Sequence, residues 1–152
     1  MNAKKDLEKQ VMLAAQNQGI SSVLFRNAIG RKLGLNITES ECLSFLAIKG
    51  VSTPTQIAKY IGLTTGSTTT MLDRLEKAGF IARKPNPQDR RGVLIEVTKQ
   101  WTTTAGPLVA GVVQAHSKLI ASYSAEELTT ITDFLTRFTN NVQTQTKTIT
   151  EQ

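Results

Sequence analysis

The stretch Thr53–Ile81 reads TPTQIAKYIGLTTGSTTTMLDRLEKAGFI and carries the signals for two short helices joined by a tight turn. Thr53 and Gln56 have the spacing of a capping box, in which each side chain bonds the backbone of the other residue. Pro54 suits the first helical position, because the amide proton that it lacks would have no partner there. Gly62 ends the first helix after barely two turns. The stretch therefore predicts a helix-turn-helix.

The second helix of this pair has a regular inward stripe and a polar outward side. Inward positions recur at steps of three and four residues before Gly79 stops the helix. The predicted inward residues are Thr68, Met71, Leu72 and Leu75. The remaining positions predict an outward side made of Thr65, Gly66, Ser67, Thr69, Thr70 and Arg74. A threonine-rich surface without function is the alternative interpretation.

The elements on either side of the pair complete a small lobe. Upstream, Thr38 and Glu41 fit a second capping box and predict a helix that ends near Gly50. Downstream, two short segments rich in apolar residues flank a polar loop with two prolines, and they predict a β-hairpin. A hairpin that follows a helix-turn-helix makes a winged helix, which we predict for residues 36–98.

The flanking regions, residues 1–35 and 99–152, are predicted to be long helices that mediate dimerisation. The first is expected to break or bend around Gly19, and the Gly106-Pro107 pair predicts a kink or a helix restart. Ser124 with Glu127 forms another capping box. A lobe of this size cannot cover the apolar stripes of these helices, so we expect a partner subunit. The predicted dimer contacts are Val11, Leu128, Ile131, Leu135 and Phe138.

Charge and composition limit the possible classes of function. Residues 49–99 hold nine basic and four acidic side chains, so +5 of the net +6 lies there, which favours a polyanion partner over a merely solvated basic face. No apolar run is long enough to span a membrane, and the start of the chain does not resemble a signal peptide, so we expect a cytoplasmic protein. No constellation of catalytic or metal-ligating residues is recognisable, which argues against an enzyme, a metal or a cofactor.

The wing strengthens this interpretation through a family resemblance. Asp89 and Arg91, followed by Val97 and Thr98, match the wing pattern of the multiple-antibiotic-resistance regulator (MarR) family, and Thr53–Ile81 resembles the family's helix-turn-helix. The resemblance covers about residues 20–123. It implies a mainly α protein with a small β wing, in which two intertwined subunits place winged helices in consecutive major grooves of a pseudo-palindromic operator. It also implies a pocket for a small aromatic or anionic effector.

The chemistry of individual side chains predicts their roles at this surface. Thr55 and Gln56 are expected on backbone phosphate, although capping alone would also explain Gln56. Hydroxyl groups of the outward side can bond bases or phosphates, threonine methyls can touch thymine methyls, and Gly66 permits close approach. The wing cations are expected in a minor groove or on phosphate: Arg83, Lys84, Arg90 and Arg91. The resemblance implies that Asp89 braces one arginine and that one arginine reaches the groove, and the division of roles between Arg90 and Arg91 stays open.

The predicted function is a homodimeric, sequence-specific transcriptional repressor that a small molecule releases from double-stranded DNA. A constitutive or architectural DNA-binding protein is the alternative. Cys42 is predicted to be a buried, unreactive thiol, with a peroxide sensor as the alternative. His116 is expected to be a packed or surface residue, and Trp101, where the family commonly has glycine, is expected to pack rather than to line a pocket.

Overall fold

The computed structural model describes residues 3–150, with the side chains of Arg90 and Arg91 excepted. The elements follow in the order α1 Ala3–Leu33, α2 Ile37–Lys49, α3 Pro54–Ile61, α4 Thr65–Lys77, β1 Ile81–Asn86, β2 Asp89–Val97, α5 Lys99–Ala121 and α6 Ala125–Thr150. The chain divides between Leu108 and Val109 into two compact units. Within residues 3–150, no helix is long and apolar enough to cross a membrane.

The core of the first unit lies between α2, α3, α4 and the hairpin. Leu43 of α2, Ile57 of α3 and Leu72 and Leu75 of α4 are almost completely buried there, together with Ile95 of β2. Each buried residue of this size contributes about 1.5–3 kcal/mol through the apolar surface that it removes from water. The predicted inward residues of the second helix are all buried, so this part of the prediction is confirmed.

The start of α2 differs from the prediction. Asn36, not Thr38, caps the helix: its Oδ1 accepts from the Glu39 amide at 2.9 Å, and Glu39 Oε2 accepts from the Asn36 amide at 2.8 Å. Thr38 lies inside the first turn and donates its hydroxyl proton to Asn36 Oδ1. The prediction was wrong because Asn36 and Glu39 have the same capping-box spacing as Thr38 and Glu41, and asparagine is at least as good a cap as threonine.

The other predicted helix ends are confirmed. Thr53 and Gln56 form the capping box of α3, with Pro54 in the first turn, and Ser124 and Glu127 exchange the same pair of bonds before α6. Gly62 closes α3 with φ 76° and ψ 31°, a left-handed conformation that costs other residues about 1–2 kcal/mol. This glycine allows the chain to turn into α4 within three residues.

Neither of the two predicted helix breaks occurs, while the bend at Gly19 and the kink at Pro107 stay predictions. α1 continues through Gly19, because an interior glycine costs a helix only about 1 kcal/mol relative to alanine. α5 continues through Gly106 and Pro107, so the helix does not restart at Pro107. Proline removes a single backbone hydrogen bond, and the remaining bonds of this 23-residue helix are formed by its other amides.

The hairpin pairs β1 with β2 in antiparallel register, from Ile81 opposite Val97 to Pro85 opposite Val93, with an irregularity after Pro85. Ser52, just before α3, forms a bridge to Ile95: its amide donates to the Ile95 carbonyl at 3.0 Å and its carbonyl accepts from the Ile95 amide at 2.8 Å. The buried Ile95 side chain and this bridge fix the base of the hairpin to the start of the helix-turn-helix.

Candidate nucleic-acid interface

The outward face of α4 is a continuous polar surface. All six predicted outward residues are exposed, while Thr68 and the apolar residues of the opposite side are buried. The hydroxyl group of Thr64 caps the helix by accepting from the Ser67 amide at 3.3 Å. The cap and the buried stripe together orient this face toward solvent.

The threonine hydroxyls on this face point their protons at the helix backbone. Thr69 donates to the carbonyl of Thr65 at 3.0 Å, and Thr70 donates to the carbonyl of Gly66 at 3.1 Å. A hydroxyl that donates in this way still has acceptor lone pairs, and its methyl group is held in one orientation. The face can therefore accept hydrogen bonds from base amino groups and offer methyl groups to thymine.

The two predicted contact residues of α3 lie at its exposed N-terminal turn. Thr55 is exposed, and so is Gln56. Gln56 Oε1 accepts from the Thr53 amide at 2.8 Å, so the capping role of this side chain is observed. Contact of either residue with phosphate stays a prediction.

Arg83 joins the wing to α4. Its Nη2 donates to Asp73 Oδ1 at 2.6 Å, and its Nη1 donates to a carboxylate oxygen of Glu76. Partial burial opposes the charge of the guanidinium, but hydrogen bonds and attraction from Asp73 and Glu76 outweigh that effect and raise the pKa of Arg83. Both terminal nitrogens are engaged within the protein. We therefore propose that Arg83 is a clamp between wing and helix, in place of the predicted contact with DNA.

The remaining predicted wing residues are Lys84, Asp89, Arg90 and Arg91. Lys84 is 58% exposed at its side chain, and its Nζ lies 2.6 Å from Glu96 Oε1 on the paired strand. An exposed ion pair of this kind contributes little stability, so a phosphate can replace the glutamate at low cost. The side chains of Arg90 and Arg91 lie outside the described residues. Asp89 is exposed at the start of β2, and its bracing role stays a prediction.

Arg74 is the cation of α4 on this face. Its side chain is 63% exposed, and its Nε lies 3.1 Å from Oε1 of Glu39, whose side chain is only 4% exposed. Arg74 follows Thr70 by four residues, so the two side chains lie on the same side of the helix. The cation is therefore held from below by a carboxylate of α2.

Thr98 connects the end of α4 to the start of α5. Its hydroxyl donates to the carbonyl of Gly79 at 2.6 Å and accepts from the Trp101 amide at 3.1 Å. Trp101 packs edge-to-face on Phe80, with ring centroids 5.4 Å apart, which confirms the prediction of packing. Thr98, the last residue of the wing motif, therefore caps the start of α5 and holds the turn that follows α4.

Sequence reasoning missed three acidic side chains of this lobe. Asp73 and Glu76 bind Arg83, and Glu39 binds Arg74. A signal was present for the first two, because Asp73 and Glu76 lie three residues apart and therefore on the same side of α4, where one cation can reach both. No comparable signal marked Glu39, since only tertiary packing brings α2 against α4.

The remaining predicted residues fall as follows. Cys42 is fully buried, and burial raises its pKa to about 12, as expected for an unreactive thiol. His116 is exposed. Within residues 3–150, no group of three or more metal-ligating side chains is found. The predicted dimer contacts are partly or largely exposed: Val11, Leu128, Ile131, Leu135 and Phe138.

A helix-turn-helix with an exposed polar second helix and a hairpin that carries lysine and arginine defines a winged-helix DNA-binding protein. Comparisons with known proteins agree. The MarR family model matches residues 35–93. The transcriptional regulator YcgE of Bacillus subtilis is 34% identical over 134 residues, which cover 88% of this chain and 87% of YcgE.

Two further similarities concern MarR itself. The multiple antibiotic resistance protein MarR of Salmonella typhimurium is 32% identical over 100 residues, which cover 65% of this chain and 69% of MarR. The crystal structure of a mutant MarR from Escherichia coli complexed with operator DNA has a TM-score of 0.52 at 25% identity, covering 88% of this chain and 93% of that one. The chain belongs to the MarR family, and it is a DNA-binding transcriptional regulator rather than an enzyme.

Proposed function

We propose that this protein is a homodimeric, sequence-specific repressor that binds a pseudo-palindromic operator and leaves it when a small aromatic or anionic effector binds. The observation that carries the proposal is the exposed outward face of α4, which presents threonine methyls, hydroxyl oxygens and the Arg74 guanidinium beside a cationic wing. The face provides base contacts, and the wing provides phosphate or minor-groove contacts.

Readout of sequence is assigned to α4. In the major groove, the methyl groups of Thr69 and Thr70 suit the thymine methyl, and their hydroxyl oxygens can accept from the amino groups of adenine or cytosine. Lys84, Arg90 and Arg91 supply the sequence-independent attraction to phosphate. Thr55 and Gln56 are proposed to add phosphate contacts at the N-terminus of α3, where the helix dipole favours an anion.

Dimerisation follows from the apolar residues that the two units leave exposed. Val11 of α1 and Leu135 of α6 are each about half exposed, at 47% and 55%, and α6 has no buried residue. A helix of this length with an apolar stripe needs a partner surface. Two-fold symmetry of the dimer would then match half-sites about one helical turn, roughly 10 base pairs, apart.

The binding proposal is tested with duplex DNA taken from upstream of the gene and with a scrambled duplex, at several salt concentrations. We expect the upstream duplex to bind more tightly, with log affinity falling linearly as log salt concentration rises. Equal affinity for both duplexes, or an affinity that salt does not change, would exclude a sequence-specific operator-binding protein.

A pair of threonine variants separates the α4 face from a general surface effect. Thr69→Ala should weaken binding to the upstream duplex and change the preferred bases, because it removes an acceptor and a methyl group. Thr146→Ala is the matched control, since Thr146 makes the same exposed hydroxyl bond to the residue four positions earlier in α6. Equal effects of the two substitutions would contradict the assignment of the face.

The effector part of the proposal is supported by an open cleft of about 550 Å³ between the end of α1 and the start of α2. Its lining includes the cation Arg31 and the amide Asn27, together with the apolar Leu35 and Ile37. This chemistry suits a small aromatic acid. We expect a panel of such acids to include one that raises the melting temperature and releases DNA, whereas no response across the panel would favour the constitutive DNA-binding protein.

A further inference from the structure

A buried carboxylate lies directly beneath the exposed cation of α4. The Glu39 side chain is 4% exposed, and its two oxygens serve different elements: Oε2 accepts from the Asn36 amide at 2.8 Å, and Oε1 lies 3.1 Å from Arg74 Nε. One side chain therefore fixes the start of α2 and holds an arginine on α4.

The contact with Arg74 is made at one nitrogen of the guanidinium. Nε is the innermost of the three guanidinium nitrogens, and the Arg74 side chain is 63% exposed. This ion pair restricts where the guanidinium can lie, while the outer nitrogens still have protons to donate. Arginine in this arrangement can form two parallel hydrogen bonds to a guanine edge or to a phosphate.

Burial of an unpaired carboxylate is costly, so the charge of Glu39 requires its partners. The Asn36 amide alone would satisfy the capping box, and a neutral glutamine would serve there equally well. A charged, buried residue at this position is explained by Arg74. The Glu39 carboxylate also offsets the positive charge of Arg74. This lowers the attraction of Arg74 for phosphate, whatever the DNA sequence.

We propose that Glu39 is a positioning residue for operator recognition: its ion pair with Arg74 restricts the guanidinium to one part of the outward face of α4 and so sets part of the sequence preference. The proposal rests on the proposed operator-binding function. Its consequence is that Glu39, which does not reach the DNA-facing surface, controls the ratio of specific to non-specific binding and not the strength of binding as a whole.

The test uses the full-length protein and three variants: Glu39→Gln, Arg74→Ala and the double variant. The amide of Glu39→Gln keeps an oxygen for the Asn36 amide and has no second acceptor for Arg74, so the capping box and the fold are retained. Glu41→Gln is the matched control, with the same loss of charge on the same helix. The probes are a duplex enriched from a random library by the wild-type protein and a scrambled duplex of the same composition.

We expect Glu39→Gln to reduce the ratio of the two affinities by about tenfold, since a well-oriented arginine discriminates bases by that order. Affinity for the scrambled duplex should stay the same or rise, because a negative charge is lost. In the Arg74→Ala background the same substitution should cause no further loss, since the two residues act as one unit. Glu41→Gln should leave the ratio unchanged.

Two results would overturn the inference: a ratio that Glu39→Gln leaves intact, or losses from Glu39→Gln and Arg74→Ala that add in the double variant. The second result would mean that Glu39 acts on the fold alone. If the wild-type protein enriches no sequence from the library, the operator-binding function itself fails, and this inference fails with it. The two kinds of failure are distinguishable because the first occurs with a functional wild-type protein.

Discussion

Arg83 illustrates what a single residue contributes to this surface. It links β1 to α4: its guanidinium donates to Asp73 and Glu76, and its backbone amide donates to Glu76 Oε1 at 3.2 Å. The side chain is only 25% exposed, so these bonds are partly shielded from water. The wing is therefore held at a fixed position beside the helix that is proposed to read the bases.

The first prediction concerns this clamp. Arg83→Gln should lower the free energy of unfolding by about 1.5–3 kcal/mol, the usual contribution of hydrogen bonds to charged groups. It should also weaken DNA binding, because the wing loses its anchor. Arg137→Gln is the control, since the exposed Arg137–Asp133 pair of α6 contributes less than about 0.5 kcal/mol. Chemical denaturation measures both, and equal effects would contradict the clamp.

The second prediction concerns Cys42. Its pKa, raised from 9.0 to about 12 by burial, reduces the thiolate fraction at pH 8 roughly a thousandfold. Iodoacetamide should therefore label the native protein very slowly and the protein in guanidinium chloride rapidly. Stability should fall as the pH rises above 9, because the unfolded state loses this proton before the folded state does. Rapid labelling of the native protein, or loss of DNA binding with peroxide, would contradict a buried unreactive thiol.

At the scale of elements, α4 combines two conflicting requirements at Gly66. A Cβ at this position would meet nothing within 4 Å, and the glycine has helical backbone rather than positive φ. Alanine at this position would therefore make the DNA-free protein more stable. Glycine at an exposed helical position is instead explained by a backbone that must approach a ligand closely.

The third prediction follows from this conflict. Gly66→Ala should raise the free energy of unfolding by about 0.5–1 kcal/mol and yet weaken operator binding. Gly19→Ala in α1 is the control, because a Cβ there also meets nothing within 4 Å and the helix gains similar stability. Thermal unfolding and DNA titration separate the two effects. If Gly66→Ala binds DNA as tightly as the wild type, Gly66 has no role in close approach.

At the scale of the whole molecule, each unit leaves apolar residues exposed that a single chain does not cover. The stripe of α6 includes Phe134 and Phe138, whose ring centroids lie 5.5 Å apart. Leu135, the residue after Phe134, is 55% exposed. Exposed apolar surface of this kind on a helix of 26 residues is typical of a subunit interface. The proposed dimer would bury it.

The fourth prediction tests this interface. Leu135→Glu should shift the protein from dimer to monomer in sedimentation experiments and reduce operator affinity, because half-sites are then bound independently. Asn140→Glu is the control, since helical spacing places Asn140 on the opposite side of α6 from the stripe. A dimer that withstands Leu135→Glu, or a wild-type monomer, would contradict the assignment.

Local sequence signals determined most of the lobe. The capping box at Thr53, the left-handed Gly62 and the inward stripe of α4 act over a few residues, so their chemistry could be recognised without the fold. Where two such signals competed, as at Asn36 and Thr38, local reasoning chose the wrong cap. At Gly19 and Pro107 no helix break occurs, because the many backbone hydrogen bonds of a long helix outweigh the cost of one residue.

The sequence by itself therefore determined the winged helix, its outward face and its cationic wing, since helical periodicity and turn chemistry are properties of neighbouring residues. Only the tertiary structure decided how the charges are used. Glu39 lies 35 positions before Arg74, and Asp73 and Glu76 reach Arg83 across a turn. The strength of an ion pair depends on distance and burial after folding, and periodicity contains neither quantity.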